Sequence, residues 1–271
     1  MRFVNHHPGR GSRLLLLLLP FIVLLSVYFF GSATRLAANP EDKLLPSAAQ
    51  MVEAIDQAAF QEDTRSGKYL LWSDTAASLK RLGIGLTIAA CVGLALGLLA
   101  GTFPLLHASL SPFIAVVSMI PPLAILPILF IVFGLDELSK VMLIVIGITP
   151  LLARDLEQKA RAIPEELLVK AQTLGANSWT MLLRVVLPQL FARLIVSLRL
   201  LLGSAWLFLI SAEAISAEVG LGYRIFLVRR YLAMDTILPY VLWITFLAWS
   251  MDYALKLFHR RCFAWSEGAG A

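Results

Sequence analysis

The chain predicts an all-α fold, a polytopic transmembrane helical bundle of about six spans. Three observations predict it. Hydrophobic residues make up 59% of its 271 residues and charged residues only 15%, whereas soluble domains are about a quarter charged. Several uncharged stretches reach the ~20 residues that cross a bilayer. Basic residues gather between alternate apolar stretches, which assigns those loops to the inner face. The net charge of +5 therefore reads as loops facing anionic membrane lipid, not as nucleic-acid binding. Cys91 and Cys262 lack the paired spacing of a disulfide framework or a metal site.

Residues 1–13 carry Arg2, Arg10 and Arg13 and no acid, so this tail is expected to be cytoplasmic. His6 and His7 within it read as solvated side chains, not ligands. Residues 14–30 form the first span, apolar apart from Ser26. A cleaved signal peptide shares the charged start, but its core is usually ~7–15 residues, so the helix is expected to be retained. Residues 31–81 form a periplasmic segment. Within it, Val52, Ile55 and Ala59 give 46–60 a weak helical pattern; a surface helix and a linker both fit.

The second span is 82–103. Gly93, Gly97 and Gly101 recur every four residues, which suits a pore wall or close helix packing. His107 reads as an interfacial residue. The third span, 112–133, contains Pro121, Pro122 and Pro127. Such a kinked helix fits a pathway lining and simple packing equally. A turn at Gly134 leads into the fourth span, 138–153. Arg154, Lys159, Arg161 and Lys170 then place residues 154–189 inside.

The fifth span, 190–212, contains Arg193, which snorkels to the inner surface, and Arg199. The latter lies ~12–14 Å along the helix from its inner end, where a charge calls for a partner. Asp252, in the last span 237–258, lies at a matching depth, and the two are predicted to pair. The loop between these spans carries Glu213, Glu218, Gly220 and Gly222, then a basic-aromatic run, and alternation puts it outside. Residues 259–271 are a cytoplasmic tail, held inside by Lys256, Arg260 and Arg261.

The longest polar island runs from Pro164 to Pro188. Pro164 suits a first helical turn, and Glu165 and Glu166 suit the positive end of the helix dipole. Leu167, Ala171 and Leu174 share a face at i, i+4, i+7 spacing, with Leu168 beside them. Gly175 suits a left-handed helix stop, and Ser178 suits the N-cap of a second helix running to Leu187.

This island resembles the cytoplasmic loop of the membrane subunits of binding-protein-dependent ABC importers, whose pattern is E-A-A-x3-G-x9-I-x-L-P. Here Val169-Lys170-Ala171 is followed by three residues, Gly175, nine residues, Val185, one residue and Leu187-Pro188. Val169 and Lys170 replace the Glu and first Ala. The segments 119–140, 198–213 and 220–226 resemble the taurine, alkanesulfonate and nitrate permease group, so the resemblance covers about residues 70–265. It implies the type I importer permease architecture in a bacterial inner membrane, with Glu165 to Gly175 as the element that couples to the ATPase. It implies that Ala171 and Gly175 are small because another surface approaches. It also implies an outer gate around Glu213, Gly220 and Gly222. The implied partners are a second permease copy in a homodimer, a cytoplasmic ATPase dimer that binds the ATP, and a periplasmic solute-binding protein.

No G-x4-G-K-[ST] phosphate loop occurs in the sequence, so the chain does not hydrolyse ATP by that motif. No nucleophile–base or paired-carboxylate constellation converges in any span, so the chain reads as no enzyme, with no cofactor of its own. An ion-coupled secondary transporter and a non-transporting scaffold are the alternatives. The first of these usually carries intramembrane carboxylates as relays, and spans two to four contain none.

Overall fold

An apolar chain in lipid must satisfy its backbone internally, and helices do so within one segment. The computed structural model describes residues 9–40, 42–64 and 67–265, and every regular element among them is helical. His6 and His7 lie outside the described residues. The elements are α1 (Arg10–Ala38), α2 (Ala48–Phe60), α3 (Leu70–Thr102), α4 (Pro104–Val117), a short 3-10 helix (Pro122–Ile125), α5 (Leu126–Phe133), α6 (Glu137–Arg161), α7 (Glu165–Thr173), α8 (Ser178–Met181), a π-helical turn (Leu182–Val186), α9 (Leu187–Ser216), α10 (Leu221–Arg229) and α11 (Met234–Cys262).

Among the described residues, four helices are long and apolar enough to cross a membrane: Gly11–Ala38, Leu70–Thr102, Ser178–Ser216 and Met234–Cys262. A fifth candidate is the pair α4 plus 122–133, bent by 79°. Three prolines within seven residues remove three backbone donors, so the residues expected as one kinked helix, 112–133, are instead two helical pieces with a sharp break, the first beginning at Pro104. The expected fourth span, 138–153, lies within α6, which runs on from Glu137 to Arg161 because its charged last turns stay helical. Lys140, Arg154 and Asp155 keep it outside the four apolar helices.

The other boundaries move for the same reason: helices outrun their apolar stretches. The helix that holds the second apolar stretch begins at Leu70, so residues 70–81 are its first turns and are not irregular chain. The fifth extends to Ser216 and the last covers 234–262. The 46–60 stretch holds the helix Ala48–Phe60, fixed by a capping box. Ser47 Oγ accepts from the Gln50 amide at 3.2 Å, and Gln50 Oε1 accepts from the Ser47 amide at 2.8 Å.

The α3–α6 contact organises the bundle. Gly85, Gly93, Gly97 and Gly101 form one stripe against Ile144, Leu152, Leu156 and Ala160. A Cβ at Gly97 would stand 2.7 Å from Leu156 Cβ and 2.9 Å from the Ala153 carbonyl; at Gly101 it would stand 2.4 Å from Ala160 Cβ. The glycines therefore serve close packing, which lets two backbones approach. The core falls into two clusters. Leu82, Ile144, Leu209 and Leu221 centre one, towards α10; Leu152, Leu156, Leu182 and Leu190 centre the other, towards α7. The membrane-crossing part of α1 is not buried by the rest of the chain. It is tied on by Tyr28, which donates to the Pro46 carbonyl at 2.8 Å, and Ser32, which donates to the Leu45 carbonyl at 3.0 Å.

Candidate functional site

At the α10 end of the bundle, α3 presents Asp74, Ser78 and Arg81 at i, i+4 and i+7, all buried. They face a loop whose backbone cannot pair with itself. The amide of Gly220 donates to Asp74 Oδ1 at 2.9 Å, that of Leu221 to Ser78 Oγ at 2.9 Å, and that of Gly222 to Glu213 Oε2 at 2.9 Å. The Val219 carbonyl accepts from Arg81 Nη1 at 2.8 Å. Four successive residues thus hand their backbone groups to side chains of α3 and α9.

The same side chains are joined to one another. Glu213 is 0% exposed and accepts from Ser78 Oγ at 2.8 Å and from Arg81 Nη1 at 2.6 Å. Arg81 also grips Glu137, at the start of α6, through Nε and Nη2, both at 2.6 Å. Asp74 accepts from Arg224 Nε of α10 at 2.8 Å. Every charge in the cluster has an opposite within reach, which is the condition for burying it.

The glycines are dictated by this geometry. Gly220 has φ of +143°, and a Cβ there would fall 2.6 Å from the Glu213 carboxyl carbon. At Gly222 a Cβ would fall 2.6 Å from the Ile210 carbonyl. Glu213, Gly220 and Gly222, singled out from sequence, are therefore brought together. Asp74, Ser78, Arg81 and Glu137 were missed. Their signal was the four- and three-residue spacing of polar residues in 74–81, on one face of a helix.

At the other end, α7 and α8 form an arm. Pro164 precedes the first turn, which carries Glu165 and Glu166. Gly175 has φ of +84° and open space where a Cβ would be, so the conformation alone accounts for glycine there and nothing in the chain crowds it. Asn177, not Ser178, caps α8: its side chain accepts from the Thr180 amide at 2.7 Å. Asn177 holds the extended N-cap backbone, from which its Oδ1 reaches that amide, while Ser178 already lies in the first helical turn. The expected Leu167–Ala171–Leu174 face divides. Leu168 packs on the core cluster and Ala171 is half-buried, while Leu167 (43%) and Leu174 (88%) are exposed, as is Trp179 (65%). The reason is that α7 lies against the bundle on its 168/171 side.

Arg199 and Asp252 stand joined by two parallel hydrogen bonds, Nε to Oδ1 at 2.8 Å and Nη2 to Oδ2 at 3.0 Å. His107, on α4, contacts Glu157 Oε1 through Nδ1 at 2.7 Å and meets Arg161 with its other nitrogen. Asp155 accepts from Ser197. These last two links, which tie α4 and α9 to the end of α6, were not read from the sequence. Among the described residues, no group of histidine, cysteine and acidic side chains is placed to hold a metal ion.

Comparison with known proteins gives these features a setting. Residues 93–263 match the family model described as the binding-protein-dependent transport system inner membrane component. The taurine transport system permease protein TauC of Escherichia coli (strain K12) is 30% identical over 243 residues, 90% of this chain and 86% of that protein. The putative aliphatic sulfonates transport permease protein SsuC of Bacillus subtilis (strain 168) is 26% identical, over 92% of this chain and 86% of its own length. The bicarbonate transport system permease protein CmpB of Synechococcus elongatus is 28% identical, over 88% and 87%. An inward-facing structure of the MetNI methionine ABC transporter shares the fold, with a TM-score of 0.64 at 18% identity. It covers 73% of this chain and 99% of the matched one. The chain therefore belongs to the binding-protein-dependent transport system inner membrane component family, as a non-catalytic permease subunit of an ABC importer.

Proposed function

We propose that two identical copies of this chain form the membrane pathway of an importer for a small solute of the sulfonate class. Taurine and other sulfonates come first, with nitrate and small nitrogen compounds as the wider set. The relatives named for taurine, aliphatic sulfonates and bicarbonate support a small oxyanion-bearing solute. Both termini lie in the cytoplasm and six helices cross the inner membrane, α6 and the broken α4–α5 pair included.

The observation that carries the coupling role is the exposed apolar surface of the arm. Leu167, Val169, Leu174 and Trp179 stand exposed on the arm, which is the pattern of a surface awaiting a partner. The partner is the cytoplasmic ATPase dimer. ATP draws the arms together, the helices tilt as rigid bodies, and the pathway opens outward to the binding protein; hydrolysis reverses this. At the far end, Glu213, Gly220 and Gly222 form part of the outer gate, fastened to α3. Arg199 and Asp252 pair within the membrane and join α9 to α11.

The test is affinity purification of the tagged chain from native membranes in mild detergent, comparing wild type with Leu174→Arg. An ATPase that co-purifies with the wild type and is lost from the variant supports the arm's role. Gly175 is less suitable, because any side chain there strains the backbone whatever docks on it. Uptake of labelled taurine by cells expressing the assembled system then tests the solute.

A further inference from the structure

A groove of about 550 Å³ opens beside the gate network, between α2 and the starts of α3 and α11. Its walls are apolar: Val52 and Ile55 of α2, Trp72 of α3, and Trp243 and Phe246 of α11. Trp72 and Trp243 meet edge to face with ring centroids 5.7 Å apart. From there an aromatic ladder descends α11. Trp243 stacks on Phe246 at 5.5 Å, Phe246 approaches Trp249 at 6.2 Å, and Trp249 stacks on Tyr253 at 5.7 Å. Phe246, Trp249 and Tyr253 are each more than half exposed.

A second, polar cavity of about 560 Å³ adjoins the groove, sharing Ala54, Ala58, Thr236 and Tyr240 with it. Among the described residues its rim carries Glu53, Glu62 and Asp235 against the cation Arg224, which is already engaged by Asp74. The rim is thus net acidic, and its chemical complement is a cation. An acidic mouth, an apolar groove and an aromatic strip follow one another along one line. The eleven residues from Trp243 to Tyr253 span about 15 Å, half the ~30 Å hydrocarbon core and so the depth of one leaflet.

We propose that this groove holds one phospholipid whose headgroup carries an ammonium, with its ammonium on the acidic rim and an acyl chain along Trp243 to Tyr253. The occupant is bulk membrane chemistry selected by charge. An anionic lipid would face the carboxylates unpaired, and a headgroup without a cation would leave the mouth unanswered. Amphipathic α2 stands as the wall that separates this lipid from the annulus. The proposal follows from the membrane location of the family and is independent of solute and of dimer composition.

Bound lipid is read by quenching. The intact transporter, with its ATPase, is reconstituted in phosphatidylglycerol vesicles holding a minor fraction of phosphatidylethanolamine. The bromines are placed on the acyl chains of either that fraction or an equal fraction of phosphatidylglycerol. Trp179, Trp249 and Trp265 are replaced by Phe to leave the groove pair dominant over buried Trp206. Brominated phosphatidylethanolamine is expected to quench roughly twofold to fivefold more than brominated phosphatidylglycerol, the preference that one or two exposed ion pairs provide. The excess should vanish in Glu53→Gln/Asp235→Asn. Equal quenching by both lipids would overturn the proposal by reducing the groove to ordinary annular contact. Quenching by neither would overturn it by showing that protein, such as the second copy, covers the groove. Native mass spectrometry of the unsubstituted transporter gives an independent reading: a retained phosphatidylethanolamine, lost in the double variant, is expected, and its absence counts against the site.

Discussion

Replacing Glu213 by Ala removes the one carboxylate on which three donors converge. Ser78 Oγ, Arg81 Nη1 and the Gly222 amide all point at it from 2.6 to 2.9 Å. Arg81 keeps Glu137 and the Val219 carbonyl, so it is weakened without being abandoned. The Gly222 amide loses its acceptor in a site with no water exposure, which costs about 1–3 kcal/mol. Breaking the buried pair as a whole costs about 3–5 kcal/mol, a figure that already contains the orphaned donors. The midpoint of thermal unfolding, followed by fluorescence of the detergent-solubilised chain, should therefore fall by roughly 10 °C. Glu213→Gln keeps one acceptor oxygen and should fall by less, for about 1–3 kcal/mol. Combined with Arg81→Met in a double-mutant cycle, the two losses should fail to add by about 1–3 kcal/mol. A Glu213→Ala midpoint within about 2 °C of wild type, or strict additivity with Arg81→Met, would refute the view that these groups act as one unit.

Other outcomes follow from local geometry. Gly101→Ala drives a Cβ to 2.4 Å from that of Ala160 and should destabilise by about 1–3 kcal/mol. Gly83→Ala, with nothing within 4 Å, should be neutral or stabilising by up to about 1 kcal/mol; the contrast is read in unfolding midpoints. Gly220→Ala meets both an unfavourable φ and the Glu213 carboxyl and should cost about 1–3 kcal/mol, seen as faster proteolysis of the 217–220 loop. Leu174→Arg should leave the midpoint unchanged while lowering ATPase activity stimulated by the binding protein at least about tenfold, as removal of an interface anchor does. Asp252→Asn leaves Arg199 with half its partner, and against lipid the loss should exceed the ~1 kcal/mol of a solvated pair.

The bundle was legible in the sequence because hydropathy marks lipid-facing helix directly. The arm was legible because proline, early acids and glycine punctuate it at fixed spacing. What hydropathy hid was polar helix. Lys80 and Arg81 end the apolar run at Leu82, although the helix begins at Leu70, so the α3 side of the buried network around Glu213 went unread as helix. Glu213 was noticed, but its partners come from residues more than 130 positions earlier, and no local pattern records such a pairing. Arg199 and Asp252 were found together because both are charges in spans whose depths can be counted. Asp74 had no such marker. The division of the arm's apolar face was also hidden: Leu167 and Leu168 are chemically alike, and only docking against the bundle decides which is covered.

The break at Leu182–Val186 has a mechanical consequence. Pro188 cannot donate to the helix, and the wide π turn before it absorbs the defect without ending the rod. Residues from Ser178 to Ser216 therefore form one shaft of 39 residues, about 58 Å long. One tip of this shaft carries Trp179, and the opposite tip carries Glu213. A displacement of the first tip reaches the second along continuous helix, with the π turn as the place where part of it is absorbed. The π turn is the shaft's compliant joint: tightening or widening it by one residue would rotate everything beyond by about 100°. The joint thus sets which side of α9 meets each neighbour, and an insertion or deletion there would re-aim the whole helix while leaving its composition unchanged.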